Sequence, residues 1–345
     1  MWCTLRPMPG LPPNHSAFAH AALSSYGRDP DTPLRLLSLS ENATYLVDDE
    51  RPMVLRVHRP GYHSLPAIRS ELTWMRALRT ETPVITPELV RARDGSDVLG
   101  VEVDGLTLHV DGMGFVPGCT AEETSGVVGY GKLGQLTAHM HDHAQRWRVP
   151  QEFTRFRWDL ESMFGPQARW GDWRQAPGMT DQDRTTVDAA VRDIIQRLTE
   201  YGYGPDRFGL IHADMRLSNL MVDPGRQGSD ITVIDFDDCG WSWFMADLGA
   251  VVSWVEDTPE AEVAVADWLE GYRRVCRLAD EHLAMIPVFV MLRRVMLTAW
   301  IASHADADAA IRVSDGFGAR TARLAQRYLT DQTWLREAVF GRRVG

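Results

Sequence analysis

Short apolar runs bounded by turn residues dominate the first third of the chain. Their length and residue types are typical of strands. Strands are predicted at residues 34–39, 43–47, 53–58, 88–93, 98–103 and 106–110. The Asp-Gly pairs at 94–95 and 104–105 favour tight turns between neighbouring strands. The pattern therefore predicts a mainly antiparallel sheet.

One helical pattern interrupts these strands. Ile68 and Leu72 recur at the spacing that places apolar side chains on one face of a helix. Ser64 precedes them as a helix cap, and Pro66 stands at the third position of the segment. A helix is therefore predicted from Ser64 to about residue 79.

The remainder of the chain is mostly helical in pattern. Helices are predicted at residues 17–26, 124–144, 185–200, 244–256, 259–277, 281–304 and 316–341. Pro287 is expected to kink or divide the helix at 281–304. A hairpin with strands at 220–222 and 231–234 interrupts the helices, and residues 1–14 are predicted to be a loose arm. A sheet followed by helices predicts an α+β fold class.

Polar side chains surround this hairpin. His212 and Asp214 follow an apolar strand, Asn219 lies five residues beyond Asp214, and Asp235 follows the returning strand. Mg²⁺ takes carboxylate and amide oxygens and keeps room for phosphate oxygens. Asn219 and Asp235 can each supply a ligand, while Asp214 can accept the proton of an attacking hydroxyl. Because phosphoryl transfer depends on positioning and charge neutralisation, the pattern predicts that reaction.

This stretch resembles the catalytic segment of the aminoglycoside phosphotransferase and choline kinase family, relatives of the protein kinases. The resemblance rests on His212-x-Asp214, on Asn219, on Asp235 and on Asp247 in Ala-Asp-Leu-Gly. It implies that Asp214 is the catalytic base and that Asn219 and Asp235 hold Mg²⁺. The Phe-Asp-Asp run after Asp235 resembles a bacterial branch that includes homoserine-kinase-like and stress-response kinases.

Further roles follow from the same resemblance. His212 is expected to brace the catalytic loop, and Asp247 is expected to steady its backbone. Asp237 is expected at the metal beside Asp235, and the sequence leaves open whether Asp237 or Asp238 makes the contact. Arg216 stands where a protein kinase carries Lys, and its guanidinium can touch the transferred phosphate as a fork of donors.

The family fold implies two lobes with the active site in the cleft between them. The predicted boundaries are residues 1–115 for a nucleotide-binding sheet with one helix and 116–345 for the catalytic loop, metal site and acceptor-binding helices. A hinge is predicted at residues 113–117. ATP is expected to bind there through the backbone of Gly114, Phe115 and Val116.

The nucleotide phosphates need donors in the first lobe. Ser40-Glu41-Asn42 takes the place of the glycine-rich loop of kinases, and its backbone can cradle phosphates or form a plain hairpin turn. Arg56 replaces the Lys that grips the phosphates in kinases. Glu71 borders the apolar face of the predicted helix, where a carboxylate needs a cation, so an ion pair with Arg56 is predicted.

Composition narrows the range of partners. The formal net charge of −11 disfavours a nucleic-acid backbone as the main partner. The four cysteines form no CxxC pair, and reduced thiols in a cytoplasmic protein are expected. The longest apolar run covers residues 283–292, which is too short to span a membrane.

His139 and His143 have a spacing that zinc can use, but a packed helix surface is the favoured interpretation.

The acceptor is the least determined part of the prediction. The segment 155–174 is rich in aromatic residues that can form the wall of an acceptor pocket, although Trp is also a common core residue. Between Arg226 and Arg273 the chain carries carboxylates and no Lys or Arg. This interval can attract amines or be a solvated surface.

Three functions are considered. The first is Mg²⁺-dependent transfer of the γ-phosphate of ATP to a hydroxyl of a small, possibly cationic molecule: an amino alcohol, a hydroxy amino acid or an amino sugar. The second is phosphorylation of Ser or Thr on a protein, as in the stress-response relatives. The third is a nucleotide-binding regulator without turnover, which the retention of Asp214, Asn219 and Asp235 disfavours.

Overall fold

The computed structural model describes residues 10–40, 42–124, 126, 128–223, 231–305 and 308–341. Glu41 of the predicted phosphate turn, the turn at Pro224-Gly225 and the first nine residues of the predicted arm lie outside the described residues. The chain divides into two compact units. The first comprises Met1–Thr120, Arg148–Phe156 and Leu220–Asp237, and the second comprises Ala121–Trp147, Arg157–Asn219 and Asp238–Gly345. The predicted lobe boundary at residue 115 stays a prediction.

The elements follow the predicted alternation of strands and then helices. The strands are β1 (Leu34–Leu39), β2 (Asn42–Val47), β3 (Met53–His58), β4 (Leu89–Val90), β5 (Val98–Val103), β6 (Leu106–Gly114), β7 (Cys119–Thr120), β8 (Phe208–Ile211), β9 (Leu220–Val222), β10 (Thr232–Val233) and β11 (Gly240–Trp243). The helices are α1 (His15–Ala22), α2 (Leu65–Glu81), α3 (Tyr130–Arg146), α4 (Leu160–Phe164), α5 (Asp181–Tyr201), α6 (Ala246–Val251), α7 (Glu260–Arg273), α8 (Asp280–Leu283), α9 (Ile286–Ser303), α10 (Asp308–Ser314), α11 (Phe317–Thr330) and α12 (Arg336–Phe340).

A six-stranded antiparallel sheet forms the first unit. Its order is β1-β2-β3-β6-β4, and β5 also pairs with β6. In this register Arg56 of β3 stands opposite Asp111 of β6. Since opposed residues of an antiparallel pair point to the same face, the sheet itself brings this cation and this carboxylate together.

Two short helices and turns complete the core of the first unit. Phe18 and Leu23 are buried against the sheet residues Leu55 and Val110. The predicted helix at 17–26 is α1 followed by a tighter 3₁₀ turn over Leu23–Tyr26.

In α2 the predicted cap is confirmed, because the hydroxyl of Ser64 accepts the backbone N–H of Ala67 at 3.3 Å.

The strand β6 is longer than predicted and extends into the residues predicted to form the hinge. It runs through Gly114, whereas the sequence pattern ended it at residue 110. The extension is stabilised by pairing, since Met113 lies opposite Val54 of β3 and Leu89 of β4. The first two residues of the predicted hinge are therefore part of the sheet.

A small sheet follows, in the order β10-β9-β7. Gly118 precedes β7 with φ +116°, a conformation that favours glycine. A Cβ atom on Gly118 would also lie 2.1 Å from the carbonyl oxygen of Val222, so a side chain here would push β9 away. Only Thr232–Val233 of the predicted strand at 231–234 pair as a strand, and Asp235 two residues later has φ +64°.

The second unit is mainly helical, with the two-stranded antiparallel pair β8-β11. The helix α9 is its central element, and most of its residues are buried. The predicted helix at 281–304 is divided into α8 and α9, as expected, and Pro287 lies in the first turn of α9, where its missing N–H costs nothing. The predicted helix at 316–341 is two helices, α11 and α12.

Among the described residues, one helical segment is long and apolar enough to cross a membrane, by length and composition alone. Asp280–Ser303 has 24 residues and a mean hydropathy of 1.6, and it is longer than the apolar run counted in the sequence. In the structure 78% of its apolar window is buried inside the protein. A core helix passes the same test, so this segment is weak evidence for a membrane span.

Candidate active site

The loop after β8 is held by one buried carboxylate. Asp247 accepts the backbone N–H of Ala213 at 2.7 Å and that of His212 at 3.3 Å. His141 lies on the other side of the same carboxylate, with Nε2 at 2.9 Å. Ala213 has φ +68°, a strained conformation for a residue with a side chain. The bonds to Asp247 offset that strain, as expected of a residue that steadies the loop backbone.

His212 is fully buried and lies inside this loop. Its Nδ1 accepts the backbone N–H of Asp214 at 3.3 Å. The imidazole therefore contacts the loop two residues downstream, an arrangement that suits the predicted bracing role.

Asp214 is surrounded by donors. Arg216 reaches both of its oxygens, with Nε 3.0 Å from Oδ1 and Nη2 3.0 Å from Oδ2. Arg293 places Nη2 2.6 Å from Oδ1 of Asp214, a contact that no motif or spacing in the sequence predicts. Burial alone would raise the pKa of Asp214, but the charges of Arg216 and Arg293 outweigh it and hold the pKa well below its usual range. Asp214 is thus an anion at neutral pH.

Asn219 is oriented by the same carboxylate. Its Nδ2 donates to the carbonyl oxygen of Asp214 at 2.8 Å and to Oδ2 at 2.9 Å. Since the amide nitrogen faces Asp214, the amide oxygen is turned away from the carboxylate. That oxygen is the type of ligand that Mg²⁺ prefers.

Arg56 of the first unit is bound by three carboxylates. Its Nη1 lies 2.7 Å from Glu71 and 3.1 Å from Asp237. Nη2 and Nε form a fork on Asp111, at 2.7 Å and 3.1 Å. The predicted ion pair between Arg56 and Glu71 is therefore present. Most of the donors of this buried guanidinium face carboxylates, so its phosphate role stays a prediction.

Asp237 has partners other than those predicted. One of its oxygens lies on Arg56, and the other accepts the side-chain amide of Asn42. A carboxylate shared in this way has little room for a metal ion.

Asp235, in contrast, is exposed, and its φ of +64° is unusual for a residue other than glycine. Backbone strain of this kind is common at functional positions.

Arg155 is a second buried cation that the sequence did not reveal. Its Nη1 donates to the carbonyl oxygen of Ala67 at 3.1 Å and lies 3.7 Å from Glu71, and its Nη2 donates to the carbonyl oxygen of Asp237. It belongs to the segment 155–174 that was expected to form the acceptor pocket. No sequence spacing links Arg155 to α2, so only the fold could identify it.

Several backbone groups predicted to contact adenine and the phosphates are hydrogen-bonded within the protein. The N–H of Gly114 donates to the carbonyl oxygen of Glu88 at 2.7 Å, so it is already used within the first unit. Phe115 and Val116 are half-buried beyond the end of β6. Ser40 donates its N–H to the carbonyl oxygen of Asn42 at 3.0 Å and closes a tight turn. The side chain of Asn42 points to Asp237 and not to the turn.

The aromatic residues of 157–174 form a wall in the second unit. Trp158 and Trp170 are buried, with ring centroids 5.1 Å apart. Together with Arg293 and Met296 they line a cavity of about 20 Å³, the space of one water molecule. Ala213 borders the same cavity, which therefore adjoins the loop that carries Asp214.

The histidine pair is not a metal centre among the described residues. His143 is buried in α3, and the group that does have metal-ligand spacing consists of Asp206, Glu281 and His282. Arg207 lies 2.8 Å from Asp206 and 3.3 Å from Glu281, so a guanidinium already neutralises this acidic group.

The ion cluster of the first unit predicts an acid-dependent stability. Burial alone would raise the pKa of Asp111, but Arg56 and His58 outweigh it and hold the pKa well below its usual range. The stability from this depressed pKa is complete above the unfolded pKa of about 4 and is lost as the pH falls towards the folded value. Asp111→Asn should therefore be less stable than the wild type at pH 7, and the difference should shrink at pH 3.

Urea denaturation at both pH values measures this difference. Asp104→Asn is the matched control, because Asp104 is an exposed turn residue. A difference between Asp111→Asn and the wild type that stays constant from pH 7 to pH 3 would contradict the predicted linkage.

The chain is similar to known proteins in both its sequence and its fold. The model described as the phosphotransferase enzyme family matches residues 34–278 of the chain. The amicoumacin kinase of Bacillus subtilis (strain 168) is 25% identical over 289 residues, which are 80% of this chain and 81% of that kinase.

Among solved structures, the microcompartment-associated aminopropanol kinase is 41% identical, with a TM-score of 0.85. The match covers 91% of this chain and 98% of that chain. The amicoumacin kinase hAmiN in complex with AMP-PNP, Ca²⁺ and Ami is 23% identical, with a TM-score of 0.71 over 93% of this chain and 94% of that one. The likeness to hAmiN concerns the fold alone.

Proposed function

The chain belongs to the phosphotransferase enzyme family, and from that premise we propose that it transfers the γ-phosphate of ATP to a hydroxyl of a small amino alcohol. Membership confirms the predicted family, the kinase-like α+β fold and the enzyme class. The observation that carries the proposal is the ionised carboxylate of Asp214, held on a loop that Asp247 and His212 fix.

Asp214 is the catalytic base of this reaction. Its carboxylate orients the acceptor hydroxyl and takes its proton as the oxygen attacks phosphorus. Arg216 lies beside it and is partly exposed, so its guanidinium can turn to the transferred phosphate. His212 acts on the backbone and not on the substrate.

Mg²⁺ is the metal that suits the donors present. The amide oxygen of Asn219 and the carboxylate of Asp235 are hard oxygen ligands, and a bound Mg²⁺ neutralises the charge on the phosphates. Asp237 binds Arg56 and Asn42. We therefore assign it a structural role, in which it links β3 to the segment after β10.

The nucleotide is ATP, bound by the first unit. Val116 and the carbonyl group of Phe115 provide backbone groups for the adenine, since the N–H groups of Gly114 and Phe115 donate to the carbonyl oxygens of Glu88 and Pro52. The segment from Ser40 to Asn42 is assigned to the phosphates, although the N–H of Ser40 is already bonded to the carbonyl oxygen of Asn42. Arg56 and Glu71 contribute by positioning Asp237 and α2.

A small acceptor is favoured by one observation. The relative with 41% identity over most of the chain is an aminopropanol kinase. The cavity beside Ala213 has the space of one water molecule and does not itself indicate the acceptor. The amicoumacin kinase relative makes an antibiotic hydroxyl the second candidate acceptor.

The test is ADP release from Mg–ATP across a panel of amino alcohols, hydroxy amino acids, aminoglycosides, amicoumacin and a generic protein substrate. We expect turnover with a short amino alcohol such as aminopropanol and none in an Asp214→Asn blank. Turnover with the protein alone would replace the proposal with a protein kinase. ATP binding without ADP release for any acceptor would contradict the proposed activity.

Removal of the metal ligand gives a second prediction. Asp235→Ala should weaken Mg²⁺-dependent binding of a non-hydrolysable ATP analogue at least about tenfold, while binding without Mg²⁺ changes little. Isothermal titration with and without Mg²⁺ measures both. Asp104→Ala is the matched control, because Asp104 also has a positive φ, of 51°, in an exposed turn. An unchanged Mg²⁺ requirement in Asp235→Ala would exclude Asp235 as a ligand.

A further inference from the structure

Arg293 connects three parts of the second unit through one guanidinium. Its Nη2 lies 2.6 Å from Oδ1 of Asp214, and its Nη1 donates to the carbonyl oxygen of Ala213 at 3.2 Å. Its Nε donates to the hydroxyl of Ser253 at 2.9 Å. Each nitrogen of the fork therefore has a different partner, and two of the three belong to the catalytic loop.

The position of Arg293 depends on close packing of α9 against α6. A Cβ atom on Gly249 of α6 would lie 2.6 Å from the carbonyl oxygen of Phe289 and 3.2 Å from Cβ of Arg293. Only glycine allows this approach. The ring of Trp170 lies 5.4 Å from the guanidinium carbon and covers it from another side. The side chain is therefore confined, and 8% of it is exposed.

Arg216 differs from Arg293 in its place in the chain and in its exposure. It is two residues from Asp214 in the same loop, and 28% of its side chain is exposed. Its hydrogen bonds to Asp214 form a simple fork, with Nε at 3.0 Å and 3.2 Å and Nη2 at 3.0 Å. Each oxygen of Asp214 already accepts hydrogen bonds from two residues, from Arg216 and Arg293 on Oδ1 and from Arg216 and Asn219 on Oδ2, so an acceptor hydroxyl can bind only when one of these donors leaves.

We infer that Arg293 is a positioning residue, which anchors the carboxylate of Asp214 and the carbonyl of Ala213 while Arg216 leaves Asp214 for the transferred phosphate. The confined arginine stays because leaving would abandon Ser253 and Ala213 as well. Arg216 is the more exposed of the two arginines, so its guanidinium is the one with room to turn to the phosphate. This inference rests on the proposed function and adds to it the division of labour between the two cations.

The kinetic test compares Arg293→Gln and Arg293→Lys. Gln cannot span Ser253, Ala213 and Asp214, so kcat should fall about 100-fold, the size expected for a misplaced catalytic group, while KM for ATP stays within about threefold. Lys can reach Asp214 with one ammonium group, and its kcat should lie about tenfold above that of Gln. Arg274→Gln, at an exposed ion pair of the second unit, is the control.

Rates are normalised to the concentration of ATP-binding sites, so a loss of folded protein does not count as a loss of kcat. Ser253→Ala removes the partner of Nε and leaves Asp214 untouched, and a smaller fall in kcat with the same KM is expected. If Arg293→Gln does not fold, this variant and Arg293→Lys decide the question. An unchanged kcat in the variants that fold would overturn the inference.

Hydrogen exchange supplies a readout that needs no turnover. The amides of Ala213 and Asp214 should exchange at least about tenfold faster in Arg293→Gln than in the wild type, while those of α5 should not change. Unchanged exchange at these two amides would overturn the anchoring role. Faster exchange in a protein that transfers no phosphate would support the anchor and reject the proposed function, so the two failures are distinguishable.

Discussion

Asp214→Asn is expected to reduce kcat by a factor of about 10²–10⁴, the range that a lost general base accounts for. The amide keeps the shape of the side chain but cannot take the acceptor proton. It also leaves Arg216 and Arg293 facing a neutral group, where the wild type offers each of them a carboxylate oxygen. The affinity for Mg–ATP should fall much less than kcat, since Asp214 is not itself a predicted ligand and Asn219 keeps its bond to the backbone carbonyl of Asp214 when the side-chain contact changes.

Steady-state ADP release and equilibrium binding of an ATP analogue measure the two effects separately. Asp206→Asn is the matched control: Asp206 is also paired with the arginine next to it in the chain, but it is exposed. Activity of Asp214→Asn equal to that of the wild type would refute the assignment of the base.

Arg56→Met is expected to destabilise the protein by about 3–5 kcal/mol, the usual result of removing one partner of a buried ion pair. The variant leaves the carboxylates of Glu71 and Asp111, both fully buried, without their shared guanidinium. Asp237 loses the same partner at 3.1 Å. Three carboxylates around an apolar side chain must either repel each other or take up protons.

The midpoint of urea denaturation, followed at pH 7, measures this loss. Arg69→Met is the matched control, because Arg69 is exposed on α2 and its substitution should change stability by less than about 0.5 kcal/mol. A midpoint for Arg56→Met close to that of Arg69→Met would show that the cluster does not depend on this cation.

Much of the fold could be predicted because its signals are local. The cap at Ser64 and the apolar face of α2 depend on neighbouring residues, and both are found in the structure. The pair of Arg56 and Glu71 was also predictable, since a carboxylate bordering a buried face needs a cation and Arg56 lies on the preceding strand. The roles assigned to the active-site residues stay predictions.

The errors lie where pairing between distant segments decides the outcome. β6 continues to Gly114 because β3 and β4 are available beside it, and no local pattern indicates that. Asp111 was overlooked, although the sheet register places it directly opposite Arg56.

The sequence by itself determined the family and the main order of strands and helices, and it predicted the residues for phosphoryl transfer, because each of these depends on residue type and short spacing. Only the tertiary structure decided how the charges are paired. Arg293 is 79 residues from Asp214 in the chain, and Asp237 is 181 residues from Arg56. Such contacts follow from the packing of α9 on α6 and from the register of the sheet, which determine which buried charge meets which.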